Sequence, residues 1–130
     1  AWLRNQPYNF ESAVGIDYTV DVSRKEGNRI VISSFSDGNP FEPDRIYSVA
    51  INSYRGNGGG GHLTAGAGIP SEELPKRLVR STEKDLRYYI LKDLEEKGTV
   101  HPFAYNNWKI IPEKWVNKAK PVDYALLFGK

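Results

Sequence analysis

Ile46-Tyr47-Ser48-Val49-Ala50-Ile51-Asn52-Ser53-Tyr54-Arg55-Gly56-Asn57-Gly58-Gly59-Gly60-Gly61-His62 decides how this sequence is read. Apolar residues occupy both faces from Ile46 to Ile51, broken only by Ser48, which is the pattern of a strand covered on both sides. The reading predicts a buried central strand here. An amide, a hydroxyl, an aromatic ring and a guanidinium follow at Asn52, Ser53, Tyr54 and Arg55, and then four glycines that leave backbone N–H groups open to close approach. Binding chemistry is expected at that junction, although a glycine run also suits a mobile linker.

Working outward towards the N-terminus, Pro43-Asp44 leads into this strand and Ser36-Asp37-Gly38-Asn39-Pro40 supplies a turn. Before it, Ile16, Tyr18, Val20 and Val22 alternate with Asp17, Thr19 and Asp21, the period of a half-buried strand. Ser23 to Asn28 carries turn residues before Arg29-Ile30-Val31-Ile32, so an antiparallel hairpin is predicted. Ala1 to Phe10, with Trp2, Tyr8 and Phe10 among polar residues, reads as extended or looped.

Towards the C-terminus, Leu63 to Ile69 is small and flexible, and Pro70 to Leu74 reads as a helical turn restricted by Pro75. Irregular connections of this length are uncommon in compact domains unless they serve a function, so residues 56–80 are expected to shape a pocket. A helix is predicted from Glu83 to Lys97, capped by Thr82 with Asp85 at N3, stopped by Gly98, and packed on the sheet through Leu86, Tyr89, Ile90 and Leu94. Its Glu83 and Arg87 read as solvated surface. From Val100 the aromatics Phe103, Tyr105, Trp108, Trp115 and Tyr124 are expected to hold the tail to the body. These elements give an α+β fold: one layered domain over 1–130 with a mixed or antiparallel sheet and packed helices.

Composition narrows the function. The 130 residues carry a formal charge of +2 with both signs interspersed, which argues against a nucleic-acid partner and for a small molecule. There is no Cys, so disulfides, thiolate metal sites and cysteine nucleophiles are excluded. No run approaches the roughly 18 apolar residues of a membrane span. His62 and His101 stand far apart with no second ligand at metal spacing. The glycine run lacks the closing Lys-Ser/Thr of a P-loop, and Ser53 has no elbow glycines or evident base. What is left is a pocket of rings and polar groups suited to a flat polar ligand such as a base or a sugar.

Tyr47 to Tyr54 with Gly58-Gly59-Gly60-Gly61 resembles the signature of the C-terminal domain of 5′-nucleotidases and the related 2′,3′-cyclic-nucleotide phosphodiesterases. Gly15-Ile16, Tyr18 with Asp21 to Arg29, Pro43 to Tyr47, and Asp85-Leu86-Arg87 with Gly98 agree in order, so the likeness covers about 8–100. The resemblance implies a nucleotide substrate whose base stacks between Phe10 and Tyr54, with Asn52, Ser53, Asn57, Gly58, Gly59 and Gly60 around it and no catalytic residue in this chain. It also implies an N-terminal domain, absent here, that holds two divalent metal ions and hydrolyses the phosphoester, and a parent exported to the periplasm or cell surface. This chain then corresponds to the later part of the substrate-binding domain and is inactive by itself. Many nucleotidases have Asp, a ligand of the ribose hydroxyls, where this chain has Gly60. A stand-alone nucleoside- or carbohydrate-binding module, or a structural interaction domain, would use the same residues without hydrolysis.

Overall fold

The computed structural model describes residues 10–129, which fall into two compact units. One is formed by the chain up to Asp44 together with residues from Ala104 onward, the other by Arg45–Phe103. The reading of Ala1–Asn9, with Trp2 and Tyr8, lies outside the described residues.

The first unit is built on strand β1, Ile16–Asp21. Its alternation works as the sequence predicts: Tyr18 and Val20, each 7% exposed, are the buried side chains among the described residues. Strand β2, Ile30–Phe35, pairs antiparallel with β1, with a bulge between Asp17 and Tyr18. The hairpin loop is fastened by Asp21, whose carboxylate accepts from the Ser23 hydroxyl at 2.6 Å, the Ser23 amide at 3.1 Å and the Arg24 Nε at 3.1 Å. Gly27, at φ +84°, lets the loop close. The turn predicted at Ser36–Pro40 is present: the Asp37 carboxylate accepts from the Asn39 amide and side chain at 3.0 and 2.8 Å.

The other edge of β1 is taken by strand β3, Trp108–Ile111, which runs parallel to it and gives the order β2-β1-β3. A helix, Glu113–Phe128, follows directly. The sheet is therefore mixed and the architecture α+β, as the sequence predicts, but its middle strand is β1. The predicted central strand is overturned: Ile46 to Ile51 has no strand structure, and Ile46 and Val49 are 95% and 76% exposed. Two-faced apolarity favours burial but does not create a ladder partner, and the free edge of β1 is satisfied by the tail instead.

In the second unit the chain makes a short helix α1, Ser53–Gly56, a series of tight turns, and helix α2, Leu86–Lys97. Helix α2 starts three residues later than predicted because Asp85, rather than Thr82, is the cap: its carboxylate accepts from the Tyr88 amide at 2.9 Å. Gly98 ends the helix at φ +71° and donates to the Leu94 carbonyl, as predicted. Its apolar residues Leu86, Tyr89, Ile90 and Leu94 find no burial within this unit and are all exposed. Pairs Lys92–Glu95 and Asp93–Lys97 decorate its surface. The helix after β3, Glu113–Phe128, is α3.

The donors around Asp21, above all the Ser23 hydroxyl, hold its carboxyl below the ordinary aspartate range, and Asn39 does the same for Asp37. A depressed folded pKa contributes stability above the unfolded pKa and loses it as pH falls through the folded one. An NMR titration is expected to show both side chains titrating below free aspartate, and Ser23→Ala to raise the Asp21 midpoint while leaving that of Asp37 in place.

Candidate functional site

The second unit gathers most of the predicted binding residues into one loop. Asn52 caps α1, its side-chain oxygen accepting from the Arg55 amide at 2.9 Å. That oxygen is thus committed to the backbone, while Ser53 opens the helix and Tyr54 projects from it with 64% of its surface exposed. The Asn57 and Gly58 amides donate back to the Ser53 and Arg55 carbonyls at 2.9 and 3.0 Å, closing the turn. Gly58 lies at φ +91°, with Leu74 and Thr64 methyl groups set against it, so the loop is packed on the segment that follows.

The middle glycines are constrained in two ways, Gly59 by contact with backbone and Gly60 by its positive φ. A Cβ built on Gly59 would lie 2.5 Å from the Tyr54 carbonyl oxygen and 2.6 Å from the Tyr54 ring. At Gly60, φ +73°, a Cβ would collide with the Arg55 guanidinium. That guanidinium donates to the Gly59 carbonyl at 3.2 Å and sits over the Tyr54 ring, 5.2 Å from its centroid. Ring, guanidinium and glycine backbone therefore form one assembly in which Tyr54 is fixed but still presents surface. Arg55, named in the sequence only as part of the loop, is the residue that ties it together; a cation next to an aromatic ring was the available signal.

Phe10 belongs to the first unit, where it is 53% exposed and its ring lies 5.4 Å from that of Trp108. Trp108 in turn stacks on Tyr18 at 6.0 Å and 12°. Of the predicted set, then, Asn52, Ser53, Tyr54, Asn57, Gly58, Gly59 and Gly60 share one loop of the second unit, and Phe10 joins the aromatic group of the first. No three His, Asp or Glu side chains among the described residues meet as a metal site.

The chain belongs to the family described as the 5′-nucleotidase, C-terminal domain, whose model matches residues 1–66. It is 31% identical over 124 residues to the trifunctional nucleotide phosphoesterase protein YfkN of Bacillus subtilis (strain 168), covering 85% of this chain and 8% of that protein. It is 28% identical over 123 residues to the 2′,3′-cyclic-nucleotide 2′-phosphodiesterase/3′-nucleotidase of Salmonella typhimurium, covering 85% of this chain and 18% of that protein. The protein of the same description from Yersinia enterocolitica is 26% identical over 133 residues, covering 94% of this chain and 19% of its own length. The chain thus spans less than a fifth of the length of these relatives. No solved structure matches it.

Because the Gly59 contact is with backbone, Gly59→Ala is expected to destabilise the chain by about 1–3 kcal/mol, as overpacking does. Gly66→Ala is the control: its Cβ would meet only the Gly61 carbonyl, at 3.6 Å, and stability should hold or rise by up to about 1 kcal/mol. Urea unfolding of the two variants checks the contrast.

Proposed function

We propose that this chain is the nucleotide-binding part of a metal-dependent phosphohydrolase of the 5′-nucleotidase family, with Tyr54 and Phe10 as the rings that stack the base. The observation that carries the reading is the state of Tyr54: a ring fixed by Gly59 and Arg55, and yet largely exposed. A ring held in place loses little freedom when a base stacks on it. In this proposal Ser53, Asn57 and the backbone of Gly58, Gly59 and Gly60 would meet the polar edges of the ligand, whereas the Asn52 side-chain oxygen serves the α1 cap.

Two divalent ions held by an N-terminal domain of the parent protein would supply the hydrolytic chemistry. In this division of labour the part of the present chain would be to bind and orient the substrate. Relatives named for 2′,3′-cyclic nucleotides and 3′-nucleotides support nucleotides as the ligand class. With Gly60 lacking a side chain, the sugar hydroxyls would have to be met by other groups. Export to the periplasm or cell surface belongs to the same proposal; among the described residues no helix is long and apolar enough to cross a membrane.

Stacking on an aromatic side chain is worth about 1–3 kcal/mol per base. Calorimetric titration of the chain with AMP and 2′,3′-cyclic AMP should show Tyr54→Ala and Phe10→Ala each weakening binding by about tenfold or more, with Tyr54→Phe close to the parent. Unchanged affinity in both alanine variants would refute the stacking assignment. The purified chain should release no phosphate from either nucleotide, with or without added divalent metal; metal-stimulated release would refute the division of labour.

A further inference from the structure

Phe10 lies in a segment with no helix or strand of its own, so the position of its ring has to come from elsewhere. Both backbone polar groups of Ala13, three residues on, are engaged. Its amide donates to the Tyr18 hydroxyl at 3.1 Å, and its carbonyl accepts from the Asn107 side-chain amide at 2.8 Å. The same Asn107 amide donates its second hydrogen to the Ile16 carbonyl at 2.7 Å, which uses both donors of the carboxamide. The Asn107 carbonyl accepts from the Tyr18 amide at 3.0 Å. Asn106, at φ +54°, takes the left-handed conformation in the preceding link. The next residue, Trp108, is the ring on which Phe10 rests.

We infer that Asn107 and Trp108 are positioning residues for Phe10: one pins the backbone that carries it and the other backs its ring, so that the exposed part of Phe10 is presented in one orientation. Trp108 acts through Phe10, being itself set against Tyr18 of the buried row. Both residues lie beyond the 1–66 stretch matched by the family model, so part of the ligand-facing geometry is supplied by a segment that the family match does not reach. A ring backed in this way is preorganised, and losing the backing lowers affinity without removing any ligand contact. The link to ligand binding rests on the stacking role proposed above; the positioning itself does not.

The test has two readouts on the full chain. In aromatic NMR spectra, with Phe10 assigned by Phe10→Leu, the Phe10 ring signals should move towards free-phenylalanine values in Trp108→Leu and in Asn107→Asp, which keeps the shape but loses both donors. Trp108→Phe should retain most of the displacement. In titrations with AMP, Trp108→Leu should weaken binding by about the same factor as Phe10→Ala, and the double variant should be no weaker than Phe10→Ala alone. Trp108→Phe should bind within about threefold of the parent. Phe10 signals that stay in place in Trp108→Leu, or losses that multiply in the double variant, would overturn the inference. So would loss of the β1 and β2 amide pattern in both Asn107→Asp and Trp108→Phe, which would mark a purely structural role. Displaced Phe10 signals combined with unchanged AMP affinity in Phe10→Ala would leave the positioning intact and refute the stacking reading alone.

Discussion

A strand in the middle of a sheet must satisfy backbone groups on both edges, and β1 meets that demand with two partners of very different origin. One is its sequence neighbour across a short loop; the other is a four-residue strand from near the end of the chain. The second pairing is what makes the first unit a unit. Each ladder bond contributes only about 0.5–1.5 kcal/mol net. With burial concentrated in Tyr18 and Val20, the Asn107 bridge, the Trp108–Tyr18 stack and the β1–β3 ladder together carry much of the cohesion.

In the second unit the organising constraint is closeness. Glycine is often treated as a source of freedom, but here Gly59 and Gly60 are where side chains of the preceding turn come down onto the backbone. The outcome is order: Tyr54 is flanked by its own loop and by Arg55, and the Asn52 cap fixes the turn from which both project. The run of glycines that equally suited a linker in the sequence is, in the folded loop, packing space for a ring and a guanidinium.

The β1–β2 hairpin, the Asp37 turn, the stop at Gly98 and the loop bearing Tyr54 were legible because each rests on local signals: alternation, Asx turns and positive-φ glycine. Most of the features that the structure corrects depend on partners remote in sequence. Ile46 to Ile51 has a buried strand's composition, yet strand formation needs a neighbour, and no local pattern says which segment takes an edge. Trp108-Lys109-Ile110-Ile111, short and bounded by Asn107 and Pro112, carried a weak strand signal that its aromatic surroundings obscured. The cap of α2 moved from Thr82 to Asp85 for a local reason, competition between two good caps three residues apart. The surroundings of Phe10 were illegible because they come from Asn107 and Trp108, and nothing in the spacing joins these to Ala13.

The bridges from Asn107 span 91 and 94 positions, and this separation bears on the order in which the molecule assembles. The hairpin closes a loop of a few residues, whereas β3 must be recruited across almost the whole described chain. Loop-closure entropy rises by about 0.6 kcal/mol per doubling of length, and it is met before any β1–β3 contact forms, which slows the non-local pairing relative to the hairpin. On topology the hairpin is expected to form before β3 joins it. A chain released from a ribosome in sequence order would hold β1 with one bare edge until residues 108–111 emerged, an interval in which that edge is open to any other strand nearby.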